Sequence, residues 1–197
     1  MLKKLIPASA LVMCLIFSAQ QNGFAQQKSE EELKMDSEKI RNDLNDKEAA
    51  ARKVKIDALA LPKTSGVTSV DNLAISSSAF LKTVNDNNTL IPQLYTRITH
   101  QNLDGQSVDV TEKKPTLDEM VSLSGNIATQ IAAVQVASAS IPSISEEVTK
   151  TSPLKAPKAS KAMDYSKEAL ALVLPELQLN AKVVNNLISL IKSSKNY

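Results

Sequence analysis

The chain reads as an all-α protein: an elongated antiparallel four-helix bundle with long, proline-kinked helices. Three observations predict this. Apolar residues recur every seven positions, they do so in four stretches of near-equal length, and turn-forming residues cluster at three places between the stretches. The turns fall at residues 62–68 (PKTSGVT), 102–115 (NLDGQSVDVTEKKP) and 151–160 (TSPLKAPKAS), rich in the Gly, Pro, Ser and Asp that end helices. They leave helical segments at about 30–61, 69–101, 117–150 and 160–195, each roughly 50 Å long at 1.5 Å per residue.

Residues 1–25 stand apart from that pattern. Lys3 and Lys4 precede an apolar run over 5–17, and a polar stretch then closes on Gly23-Phe24-Ala25. A basic start, a short apolar middle and small residues at the cleavage positions make a secretory signal peptide. Its run of about 13 apolar residues is short of the ~20 that a spanning helix needs. The expected mature protein is therefore a single helical-bundle domain over 26–197, and its bacterial-looking signal addresses it to the periplasm or the extracellular space. Cys14 is a poor lipid-attachment site, because Leu11-Val12-Met13 precede it where a lipoprotein signal has a small residue.

Cleavage there changes the chemistry of the chain. The net charge of +2 falls to zero with Lys3 and Lys4, which argues against nucleic acid as a partner, since phosphate backbones demand a basic field. Cys14, the sole cysteine, departs too, and disulfides and thiolate metal sites go with it. Phe80, Tyr95, Tyr165 and Tyr197 are the aromatics that stay. The core must be aliphatic, and ligand pockets or interaction hot spots built on aromatic rings are not expected.

In the first segment Leu33, Ile40, Val54 and Leu61 recur beside Leu44, Ala51 and Ala58, while Lys47 interrupts and charge covers the other faces. The second carries Val84, Ile91 and Ile98 in one row and Leu73, Phe80 and Leu94 in the other, with Asn87 at a seam position, where a polar residue fixes register at some cost in stability. The third runs Met120, Ile127, Val134, Ile141 and Val148, flanked by Leu123, Ile131, Ala137 and Ile144, and opens on a Thr116/Glu119 capping box. The fourth is the most regular: Leu170, Leu177, Val184 and Ile191, with Leu174, Ala181 and Ile188. A seven-residue repeat predicts left-handed packing at about 20°. Residues 106–110 alone alternate like a strand, too briefly to compete.

Pro92, Pro142 and Pro175 fall inside the segments, each directly after a seam residue. Each frees the carbonyl four residues back, on Asn88, Ser138 and Ala171, and bends its helix. They are candidate hinges, with static kinks the commoner outcome of such prolines. The run 121–145 holds no charged residue and many small ones. Such a helix either inserts into lipid, at a cost for Asn126, Gln130 and Gln135, or is surrounded by neighbouring helices. Lys150, Lys155, Lys158 and Lys161, with Lys167 beyond, cluster around the last turn as a candidate contact for an anionic surface, or as an ordinary solvated loop.

Constellations for catalysis are missing. The one histidine, His100, sits near the end of the second segment, where a cation complements the helix dipole. No Gly-x-Ser-x-Gly, His-Glu-x-x-His or phosphate loop occurs. No catalytic, cofactor-binding or metal-binding residue is assigned and no cofactor is expected. The chain is read as a non-enzymatic interaction or structural protein whose partner is another envelope or secreted protein. The alternative is a membrane-active helical protein that binds or inserts into lipid bilayers.

Overall fold

The structure, a computed structural model, describes residues 29–101 and 113–193. The expected signal peptide and the strand-like stretch 106–110 lie outside the described residues. Within them the protein is all-helical, with five helices: α1 (Glu30–Leu44), α2 (Lys47–Ala58), α3 (Thr68–Thr99), α4 (Leu117–Thr149) and α5 (Ala156–Ser193).

The first expected segment is two helices. A Ser29/Glu32 capping box opens α1, and the chain leaves the helix at Asn45. Asp46 then turns extended and its carboxylate accepts from the Glu48 N–H at 2.9 Å, capping a new helix. The break shifts the register, so the expected seam residue Val54 stands 69% exposed while Ala49 and Ile56 take the inside positions, and Leu61, 49% exposed, lies beyond the end of α2. α3 ends where His100 adopts the left-handed conformation (φ 57°) and its N–H donates to the Thr96 carbonyl. The Thr116/Glu119 box opens α4 as the sequence predicts: Thr116 N–H donates to the Glu119 carboxylate at 2.7 Å and Glu119 N–H to the Thr116 hydroxyl at 3.2 Å. All three internal prolines lie inside unbroken helices.

Interhelical hydrogen bonds fix the direction of each rod. Ser69 donates to Glu147 and Asn87 to Gln130, so α3 and α4 run antiparallel. Ser124 donates to Asn185 near one end and a short turn joins the other, so α4 and α5 run antiparallel as well. Asn180 meets Asn88 and Lys155 meets Gly66, which makes α3 and α5 parallel. Ser37 meets Asn186 and Arg52 meets Glu176, so α1 and α2 descend along α5.

The last helix is the hub. α5 contacts all four others, whereas α1 touches only α2 and α5 among the described elements, and α3 and α4 meet each other much less than each meets α5. This explains why α5 is apolar on more than one stripe. Beyond the expected Leu170, Leu177, Val184 and Ile191, it also buries Val173, Leu179, Val183 and Leu187. A helix that packs on several sides must be apolar on several sides. Replacing Leu177 by Ala, deep in this hub, is expected to cost about 3 kcal/mol through lost transfer energy and a residual cavity. Leu154→Ala, at an exposed turn, is expected to change stability by less than about 0.5 kcal/mol. Urea unfolding followed by circular dichroism separates the two.

Candidate functional site

Helix α4 commits one stripe to the interior. Met120, Ile127 and Val134 are fully buried on that face, and Leu123, Ile131, Ala137, Ile141, Ile144 and Val148 are half-buried. The rest of the helix meets solvent. Val121 and Val136 are exposed, Val136 to 73%, among Ser122, Gly125, Ala132 and Ala139. By length and composition Leu117–Thr149 is the one described helix apolar enough to cross a membrane, yet only 11% of its apolar window is buried within the chain. The sequence alternative of a helix wrapped by its neighbours is thus not what the fold provides. The exposed side of the uncharged run 121–145 is a neutral surface that contacts within the described residues leave open.

At the α4–α5 end the four expected lysines are all exposed. Lys150 lies 4.0 Å from Glu146, an exposed pair of little energetic weight. Lys155 has a structural partner, its ammonium donating to the Gly66 carbonyl at 3.0 Å, while Lys158 and Lys161 project from the first turns of α5. Leu154, in the turn among them, is 90% exposed. The Lys155 bond joins the lysine turn to the 62–68 turn, whose shape is held by Asp71. Its carboxylate accepts from the Ser65 N–H and hydroxyl, both at 2.7 Å, and from the Gly66 N–H at 3.0 Å. Gly66 has φ +79°, which a glycine adopts without strain.

The three prolines differ in setting: Pro92 is buried, Pro175 half-buried and Pro142 exposed. Beside Pro92 and Pro175 the structure assembles a polar layer that the sequence did not reveal. Glu176 is completely buried, and its Oε1 accepts from Arg52 Nε at 2.7 Å. One turn on, Asn180 donates to Asn88, and Asn87 donates to Gln130, each at 3.4 Å. Glu176 Oε2 and Asn88 Nδ2 are buried with no hydrogen-bond partner. Asn87 was legible as a polar residue in an apolar row; Glu176 was not, because its partner lies 124 residues away in sequence.

Two shallow grooves complete the surface. One, of about 360 Å³, lies between α1 and α5 and mixes Asp36, Asp43, Lys39 and Lys182. The other, of about 340 Å³, lies where α3 meets the start of α4, with Arg97, Lys113 and Lys114 above Leu90, Leu94 and Met120. No group of three or more His, Cys, Asp or Glu that could hold a metal occurs among the described residues. Comparison with protein families, with curated proteins and with solved structures finds no match for this chain.

Two predictions follow from these contacts. Partial burial pushes the Asp71 carboxyl upward, but the hydrogen bonds from Ser65 and Gly66 and the Lys155 charge outweigh it and hold the group below its ordinary value of 3.8. A carboxyl depressed in the folded state stabilises the fold above the unfolded value, and that contribution is lost as pH falls through the folded one. Stability of Asp71→Asn is therefore expected to fall less steeply with acid than that of the parent, as read from urea midpoints across the carboxylate range. Arg52→Met strands the Glu176 carboxylate inside and is expected to cost about 3 kcal/mol. Adding Glu176→Leu should recover most of that loss, and a double-mutant cycle measures it.

Proposed function

We propose that this is an exported, non-enzymatic interaction protein of the bacterial envelope or secretome, and that the outer face of α4 is where another protein docks. One observation carries the reading: α4, about 50 Å long, contains an uncharged run over 121–145 that packs on α5 and more lightly on α3 and leaves its remaining side exposed. The pattern of residues 1–25 supports export. In this reading the molecule works as an elongated antiparallel four-helix bundle, with α1 and α2 forming the first rod. Pro92, Pro142 and Pro175 bend their helices, and the hinge role falls to Pro92 and Pro175, where the bend lies beside the unpaired polar atoms of Asn88 and Glu176.

A second reading has a specific observation of its own. Leu154 stands in solvent among Lys150, Lys155, Lys158 and Lys161, an apolar tip within a basic ring suited to an anionic bilayer. Insertion of α4 itself is disfavoured by Asn126 and Gln135 on its open side.

A photo-crosslinking residue at position 136, compared with one at the exposed Lys82 of α3, tests the first reading in cells. Protein adducts at 136 and none at 82 are expected, and their absence from both would discard it. Flotation with anionic and neutral liposomes tests the second. Binding that is lost with salt and with the triple change Lys155→Glu, Lys158→Glu, Lys161→Glu belongs to the tip. Binding that survives both belongs to α4.

A further inference from the structure

We propose that the end of the bundle where α4 turns into α5 seats on an anionic membrane surface, with Leu154 entering among the lipid headgroups and the long helices standing away from the bilayer. The inference rests on the second reading above. It adds the neighbouring turn that completes the surface and the orientation of the molecule upon it.

Two stretches far apart in sequence build this end. α3 begins at Thr68, α4 stops at Thr149 and α5 begins at Ala156, and the Lys155 ammonium, donating to the Gly66 carbonyl at 3.0 Å, ties the turn before α5 to the turn before α3. Residues 63–70 and 148–163 together hold Lys63, Lys150, Lys155, Lys158 and Lys161, all exposed, and no Asp or Glu. The carboxylates nearest to them in sequence, Asp71, Glu146, Glu147 and Asp164, sit on the helices. Three of these are engaged within the protein: Asp71 accepts from Ser65 and Gly66, Glu147 accepts from Ser69, and Glu146 lies 4.0 Å from Lys150. Asp164 is more than two turns into α5. The α4–α5 turn itself carries Lys150 and Lys155 without a carboxylate, and the first turn of α5 has no acidic residue.

Positive charge alone suits any polyanion. Leu154 narrows the choice to lipid. It is 90% exposed, more than any other large apolar side chain among the described residues. The turn also holds it in place: the N–H groups of Lys155 and Ala156 both donate to the Ser152 carbonyl, at 2.9 and 3.0 Å, Pro153 and Pro157 stiffen the backbone on either side, and Lys155 is anchored on Gly66. Little backbone freedom is left to lose when the leucine is buried. A polysaccharide or a free phosphate offers a leucine no apolar surface, whereas the boundary of an anionic bilayer offers acyl chains to Leu154 and phosphates to the lysines around it.

The direction of the helices sets the orientation. α3, α4 and α5 lie side by side and all three have an end here, so seating this end directs them away from the bilayer. Val136, 13 residues before the end of α4, then stands about 20 Å from the turn, and the open side of α4 stays in water, accessible to a protein.

The chain contains no tryptophan, so a single one introduced into the full chain reports on its own surroundings. Leu154→Trp is expected to shift its emission to the blue, and to be quenched by brominated lipid, on vesicles containing phosphatidylglycerol but not on vesicles of phosphatidylcholine alone. Val136→Trp and Lys82→Trp, both at exposed positions, should be unchanged on either. Adding Lys158→Glu and Lys161→Glu to Leu154→Trp should weaken vesicle binding by roughly tenfold or more with helix content retained; Lys155 is kept because it holds the Gly66 carbonyl. An equal shift on neutral vesicles overturns the role of the lysines, and a shift at position 136 or 82 together with 154 overturns the standing orientation. Flotation with the indole at 154 still in water overturns the seat proposed here and leaves the membrane-active reading to another surface. If the chain does not float with anionic vesicles, that reading falls as well.

Discussion

Burial of the C-terminal helix on several sides is the constraint from which the rest of the fold follows. α5 presents Val173, Leu177, Val183, Val184 and Leu187 inward in different directions, and the four other helices are arranged to cover them. α3 and α4 supply most of that cover. α1 and α2 supply the remainder and rest on little else. With α5 satisfied, no internal demand remains for the far side of α4, and it is left facing water.

The polar layer sets register within this aliphatic interior. Leu, Ile, Val and Ala can slide past one another by a heptad at small cost, whereas Arg52 with Glu176, Asn88 with Asn180 and Asn87 with Gln130 meet in one alignment only. Specificity of this kind is costly: a completely buried carboxylate keeps one oxygen unpaired, and two proline-freed carbonyls, those of Asn88 and Ala171, lie close by in sequence. Stability along the molecule is therefore uneven. The part of α5 packed on several sides is its strongest, and the α1–α2 strap, tied on by Arg52 and by the bond from Ser37 to Asn186, is the weakest.

Much of the fold was legible because periodicity reports burial directly. Leu170, Leu177, Val184 and Ile191 were expected in a seam and are all buried, as are Met120, Ile127 and Val134. The heptad missed Val173, Val183 and Leu187 because it describes one stripe, and a hub helix has several. It misplaced Val54 because the Asn45-Asp46 break resets the phase, although Asp46 ahead of Glu48 is a recognisable helix start, and Leu61 because the helix ends at Ala58. The uncharged run in α4 was visible from sequence, but its open side was not. An apolar helix reads the same whether neighbours surround it or leave it bare, and only the placement of α3 and α5 separates the two. The Arg52–Glu176 pair was illegible for a different reason: one Glu among many carries no local mark of a partner on another helix.

The central claim is that α5 is the stable hub and that α1 and α2 are a strap laid on it. Native-state hydrogen exchange resolved by residue tests it most directly. The account predicts that amides around Val173 to Leu187 exchange only through global unfolding, and that those of α1 and α2 exchange through a smaller opening at lower free energy. If α1 and α2 were protected as strongly as α5, or if α5 exchanged first, the hub would lie elsewhere and the account would be wrong.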